Sequence, residues 1–333
     1  MTSFPPPGDG TAPAEPPAEP PLWSAPSEPP GEPPLWPGPA QPPDPTGEPD
    51  APQLGTSTAP QMRGSAAWTP WSAPLALLVW FAATLVLSIV IALAAAAMGY
   101  SLDDPPSGVN IAGTFAQDVA MIGAALLFAF MVSRPRAADF GLVRTPLGKA
   151  VGAAIGVWIG FIVFSLVWKT AISLDDPQTL PDQLGIEGSN LNLVLVVVII
   201  TVLAPVSEEL LFRGFIFRAL RNWRGFAPAA VITGLIFGAV HIGSSPVGYA
   251  LPLAAFGFGL CLLYQWTGSL YPCIALHAAN NGFALGIDQE WGWEIFPVVV
   301  CAVAAALMLA TLLGRSLERR ADAVAGPAPQ PAA

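Results

Sequence analysis

Long apolar runs separated by short polar connections dominate the chain from about residue 74 onward. Eight of them, near 74–98, 112–132, 149–171, 191–212, 227–243, 247–266, 270–287 and 294–313, are long enough, or nearly so, to cross ~30 Å of hydrocarbon. They predict an all-α polytopic membrane protein, a bundle of about eight transmembrane helices. The fifth through seventh are shorter and rich in Gly, Ala and Ser, which suits close helix packing. Residues 1–72 read differently, because more than half of the chain's 38 prolines fall there and bulky aliphatics are scarce. Such a segment buries too little apolar surface to offset its ordering entropy, so a disordered tail with polyproline II character is expected. The pattern thus gives a cytoplasmic tail at 1–72, three helices with their loops at 73–190, a core at 191–287, a last helix at 288–314 and a second cytoplasmic tail at 315–333.

Composition supports the membrane reading. The 333 residues are 53% hydrophobic and 11% charged, against roughly 25% charged in a soluble protein. The net charge of −10 says little about partners, since acids and bases are segregated along the chain. Arg134, Arg136, Arg144 and Lys149 lie in one connection, Arg218, Arg221 and Arg224 after the fourth run, and Arg315, Arg319 and Arg320 after the last. The alternate loops hold Asp103 and Asp104, then Asp175, Asp176, Asp182 and Glu187, then Asp288, Glu290 and Glu294. Only Lys169 stands on the acidic side, where its stem would let it snorkel. The positive-inside rule then predicts a multi-pass protein of the cell membrane with both termini cytoplasmic, which requires an even number of spans. The scattered basic residues exclude a nucleic-acid footprint. No N-terminal signal peptide is predicted. Cys261, Cys273 and Cys301 lie in apolar runs without CxxC spacing and read as small buried hydrophobes.

Against this background the polar residues inside the runs carry the chemistry. In "VSEELLFRGFIFR" two carboxylates and Arg213 occupy a membrane helix, where a charge costs at least ~2.5–3.5 kcal/mol. Glu209 and Arg213 are i,i+4 neighbours in the order favoured for an ion pair. Glu208 is rotated about 100° away, and Pro205 removes a backbone donor just upstream. The only two histidines follow, His241 in "FGAVH" four residues after Phe237 and His277 in "HAANN" four residues before Asn281. Glu208 and His241 lie nearly equal distances before and after Gly225, each ~25 Å from it at ~1.5 Å per residue, so an antiparallel hairpin would bring them level.

A carboxylate, two imidazoles and an amide could activate water. A carboxylate withdrawn from water serves as a general base, an imidazole can fix the nucleophile, and an imidazole plus an amide can donate to an oxyanion. Two histidines and a glutamate are also an acceptable zinc set, although HExxH is absent. Each element has a plainer reading beside this one. Glu209–Arg213 is accounted for by a structural ion pair, Asn280 or Asn281 by interhelical hydrogen bonding, and each histidine alone by a satisfied place in the bundle interior. Gln117 and Asp118 in the second run either line a wet cavity or serve packing.

The motifs "EELLFRG", "FGAVH" and "HAANN", in this order over about residues 191–287, resemble the three signatures of the CPBP family, the CAAX prenyl protease and bacteriocin-processing endopeptidases. The resemblance implies a bundle of mostly eight helices with an intramembrane active site. It implies Glu208 as catalytic base with His241 holding the water, His277 and Asn281 stabilising the oxyanion, and Glu209 and Arg213 in support. It leaves the cofactor open between none and a divalent metal such as zinc on Glu208, His241 and His277. The substrate would be a peptide or membrane protein in or next to the bilayer. Two other classes compete: a non-enzymatic scaffold or bacteriocin self-immunity protein, and a proton-coupled transporter, which lacks the support of an internal repeat. The repeated "EPPLW" at 19–23 and 32–36 is either low-complexity drift or a docking peptide for a partner's aromatic groove.

Overall fold

A computed structural model describes residues 68–172 and 180–325. The "EPPLW" repeats and nearly all of the proline-rich tail therefore lie outside the described residues. Eight helices follow one another in the expected places. They are α1 (Ser72–Ala97), α2 (Ser107–Val132), α3 (Leu147–Ile172), α4 (Asn190–Arg224), α5 (Phe226–Val240), α6 (Ala250–Thr267), α7 (Tyr271–Asp288) and α8 (Ile295–Ala325). Among the described residues six helices are long and apolar enough to cross a membrane, fewer than the eight apolar runs suggested. α5 has 15 residues, or only ~22 Å of rise, and α7 carries His277, Asn280, Asn281 and Asp288 within its 18 residues. The protein is an all-α, multi-pass membrane protein.

Other boundaries move for physical reasons. Trp68, expected in the disordered tail, is 2% exposed and lies 5.0 and 4.7 Å from the rings of Phe140 and Phe215. α8 runs past its apolar stretch to Ala325, with Leu317 and Ala321 buried and Glu318 and Asp322 paired with Arg136 at 2.9 and 3.1 Å. These carboxylates stabilise the Arg136 proton and raise its affinity above that of a free guanidinium. All three cysteines are free thiols; Cys261 and Cys273 are buried as expected, whereas Cys301 is exposed on α8.

α4 absorbs Pro205 without breaking. Wide π-helical turns at Ile199–Leu203 and Leu210–Phe217 flank the short α segment that holds Glu208 and Glu209. Such bulges occur where a helix must re-aim its side chains. α5 and α6 lie in very close contact through glycines. A β-carbon on Gly234 would stand 2.7 Å from the Ala254 carbonyl oxygen, and one on Gly238 would collide with the Ala250 carbonyl. Gly238→Ala is accordingly expected to push α5 off α6 and displace His241. It should lower the thermal midpoint in detergent by several degrees, at a cost of about 1–3 kcal/mol. A midpoint unchanged from wild type would show that the contact is not tight.

The helix ends sort into two groups. At one end Leu270 N donates to Gly141 O at 2.7 Å, Tyr264 Oη to Phe140 O at 2.9 Å, and Arg218 to Tyr264 Oη at 3.0 Å. At the other, Trp168 Nε1 donates to Gly248 O at 2.8 Å, and Ile111, Leu184, Ile186 and Leu285 form a second apolar cluster.

Candidate active site

Consecutive positions on α4 send Glu208 and Glu209 into different surroundings. Glu209 and Arg213 are wholly buried and paired at 2.8 Å. The same Glu209 Oε1 accepts from His277 Nδ1 of α7, also at 2.8 Å. Arg213 Nη2 donates to the Gly257 carbonyl of α6 at 3.0 Å, and its guanidinium carbon lies 4.4 Å from the Phe237 ring centre of α5. A buried ion pair is stable only when its remaining protons and lone pairs find partners. Here α6 and α7 supply two of them, while Glu209 Oε2 and Arg213 Nε have no hydrogen-bond partner.

Glu208 faces a cavity of about 270 Å³ whose wall includes His241, His277, Asn281 and the apolar Leu253 and Phe256. Its side chain is 13% exposed, and its Oε2 lies 3.7 Å from His277 Nε2 and 3.8 Å from His241 Nε2. Those spacings exceed a hydrogen bond, and Oε2 has no hydrogen-bond partner. The antiparallel hairpin inferred from the sequence does bring Glu208 and His241 together.

The two imidazoles are oriented by their other nitrogens. His241 Nδ1 contacts the Phe237 carbonyl oxygen at 2.6 Å. A carbonyl only accepts, so Nδ1 carries the proton and the neutral ring presents a lone pair at Nε2. His277 Nδ1 likewise contacts Glu209 Oε1, which is also paired with Arg213. Both Nε2 atoms therefore turn toward Glu208. Phe237 and Phe256 pack edge-on to His277, with ring centres 5.8 and 5.5 Å away.

Asn281 lines the cavity while one of its amide hydrogens is donated to Ile200 O at 3.0 Å. Asn280 accepts from Trp158 Nε1 at 3.3 Å and joins α7 to α3. Asp118 is buried and accepts from Ser207 Oγ at 2.9 Å, so it binds α2 to α4 at the residue before Glu208. Gln117 lines a different cavity, between α1 and α2. Sequence reasoning missed the Gly257 carbonyl, Phe256, and the Leu180–Pro181 turn that covers one side of the cavity. A backbone acceptor leaves no side-chain signal, and Leu180 belongs to a polar loop.

Glu208 and the two Nε2 atoms are donors of the type that a catalytic zinc takes. Among the described residues, however, no group of three or more His, Cys, Asp or Glu side chains is gathered to hold a metal ion.

These residues coincide with a known pattern. Residues 190–283 match the family model described as type II CAAX prenyl endopeptidase Rce1-like. That segment is similar to the Rce1-like family. Within it fall Glu208, Glu209, Arg213, His241, His277 and Asn281. The chain is also 32% identical over 96 residues to "Putative membrane peptidase YdiL" of Bacillus subtilis (strain 168), covering 29% of this chain and 38% of that protein. It is 29% identical over 174 residues to "Uncharacterized protein YyaK" of the same organism, covering 49% and 56%. To "UPF0177 protein YxdF" of Lactococcus lactis subsp. lactis (strain IL1403) it is 30% identical over 125 residues, covering 37% and 66%. The chain thus spans between about a third and two thirds of the length of these relatives. No solved structure matches it.

Proposed function

We propose that this protein is an intramembrane endopeptidase in which Glu208 activates water for attack on a peptide bond in or beside the bilayer. The observation that carries the reading is the unpartnered Glu208 Oε2 on a cavity wall, faced by two imidazole Nε2 atoms at 3.7 and 3.8 Å. A water between them donates one hydrogen to Glu208 and the other to the His241 lone pair. Its oxygen attacks the carbonyl carbon while Glu208 takes the proton. The C–N bond then breaks, and Glu208 returns that proton to the leaving amine nitrogen.

The oxyanion role of His277 needs its protonated form, because the neutral ring has only a lone pair at Nε2. Glu209, 2.8 Å from Nδ1, holds the ring in place as an orienting carboxylate does in a hydrolytic triad. The second amide hydrogen of Asn281 completes the donor set. A divalent metal on the same three side chains would act as a Lewis acid toward water; in the proposed reaction Glu208 itself activates the water.

Two outcomes are expected. Cleavage by purified protein should persist after prolonged chelation with 1,10-phenanthroline, whereas loss of activity restored by added zinc would overturn the metal-free assignment. In cells, some membrane-derived peptides should appear with the wild type and be absent with Glu208→Gln at equal expression. Identical peptide sets would end the hydrolase reading and favour a scaffold.

A further inference from the structure

The cavity belongs to one end of the bundle only. Its floor is Glu208 and His277, and its rim is Leu180 and Pro181 before α4, Ser244 and Ser245 after α5, and Asp288 at the end of α7. None of the arginine-bearing connections contributes to its wall. Arg136, Arg218 and Arg315 sit instead among the contacts of the opposite end, with Glu318, Tyr264 and Ala138. At the rim end the described loops carry Asp103, Asp104, Asp288, Glu290 and Glu294, and Lys169 is the one basic residue there. Lysine and arginine near helix ends mark the cytoplasmic side of a membrane protein, and acidic residues contribute little to that bias.

We infer that the catalytic cavity opens away from the cytoplasm and that its substrate is a polypeptide reaching the extracytoplasmic face, with basic residues flanking the scissile bond. This rests on the hydrolysis proposed for Glu208. The side of access follows from combining two facts: the arginines fix which end is inside, and the cavity wall is built from the other end. A peptide approaching from outside meets Asp288 at the rim and the acidic loops of the same end before the apolar wall formed by Leu253 and Phe256, so lysine or arginine flanks are steered and acidic flanks repelled. A bond cut from this side lies in an exported or outer-leaflet segment, not in a tail presented from the cytoplasm.

The test uses the full chain with Cys301→Ser, which leaves the two buried cysteines. Single Ser245→Cys at the rim and Arg224→Cys at the opposite turn are treated with a membrane-impermeant maleimide. Ser245→Cys should label in intact cells and Arg224→Cys only after permeabilisation. Glu294→Cys, in the exposed α7–α8 loop, should follow Ser245→Cys and replaces it should that variant fail to fold. The reverse pattern overturns the inference whatever the enzyme does. An impermeant fluorogenic peptide is then supplied to right-side-out and inverted vesicles. Cleavage should occur in the right-side-out preparation, with lysine-flanked peptide roughly fivefold faster than glutamate-flanked at low salt and the ratio shrinking as salt rises. Cleavage confined to inverted vesicles overturns the inference but leaves Glu208 hydrolysis standing. Outside labelling of Ser245→Cys with no cleavage in either preparation upholds the outward mouth and overturns the hydrolase reading instead. Equal rates for the two peptides overturn the basic-flank preference.

Discussion

Arg213→Ala is expected to cost most of the protein's stability. Both partners of the Glu209–Arg213 pair are wholly buried, and removing one side of such a pair costs about 3–5 kcal/mol, because the other charge is left without its counter-ion. That is a large share of a typical ~5–15 kcal/mol of folding free energy. The loss spreads further here. Arg213 also holds the Gly257 carbonyl of α6 and the face of Phe237 on α5, and Glu209 would be left with only the His277 ring. Arg213→Lys is expected to rescue little, since an ammonium cannot fork between a carboxylate and a carbonyl as guanidinium does. Glu209→Gln combined with Arg213→Met removes both charges and should recover the thermal midpoint in detergent. It should not recover cleavage, because His277 then lacks the carboxylate that orients its ring. Wild-type stability for Arg213→Ala alone would show that the pair does not hold the helices together.

The helices were legible in the sequence because a bilayer demands apolar runs of a minimum length; the run at 149–171 falls within α3, and that at 247–266 overlaps nearly all of α6. The site was legible because charged and imidazole side chains are expensive in such runs, so Glu208, Glu209, His241 and His277 stood out by residue type alone. What was hidden involves the backbone or long-range geometry. The π-helical turns around Pro205 depend on how α4 is packed, and nothing in "VVIITVLAP" announces them. The last turns of α8, up to Ala325, meet Arg136 from far away in the chain. Which nitrogen of each histidine faces Glu208 is decided by the Phe237 carbonyl and by Glu209. A one-dimensional motif shows that two histidines are present; it does not show that both turn Nε2 toward one carboxylate.

That convergence makes Glu208 the residue on which the account depends. Glutamine there keeps the shape and an acceptor oxygen but cannot take a proton from water. Glu208 has no ion-pair partner closer than 3.7 Å, in contrast to Glu209, so neutralising it removes a poorly compensated charge and should leave the fold intact or slightly more stable. General-base assistance contributes about 10²–10⁴-fold to a rate, and the loss should fall on kcat, because Glu208 acts on water and not on substrate binding. Single-turnover cleavage of one fluorogenic peptide by purified wild type and Glu208→Gln, at matched thermal midpoints, is the direct measurement. The account predicts a rate lower by at least about 100-fold with peptide affinity unchanged; a folded Glu208→Gln protein cleaving within a few-fold of wild type would contradict it.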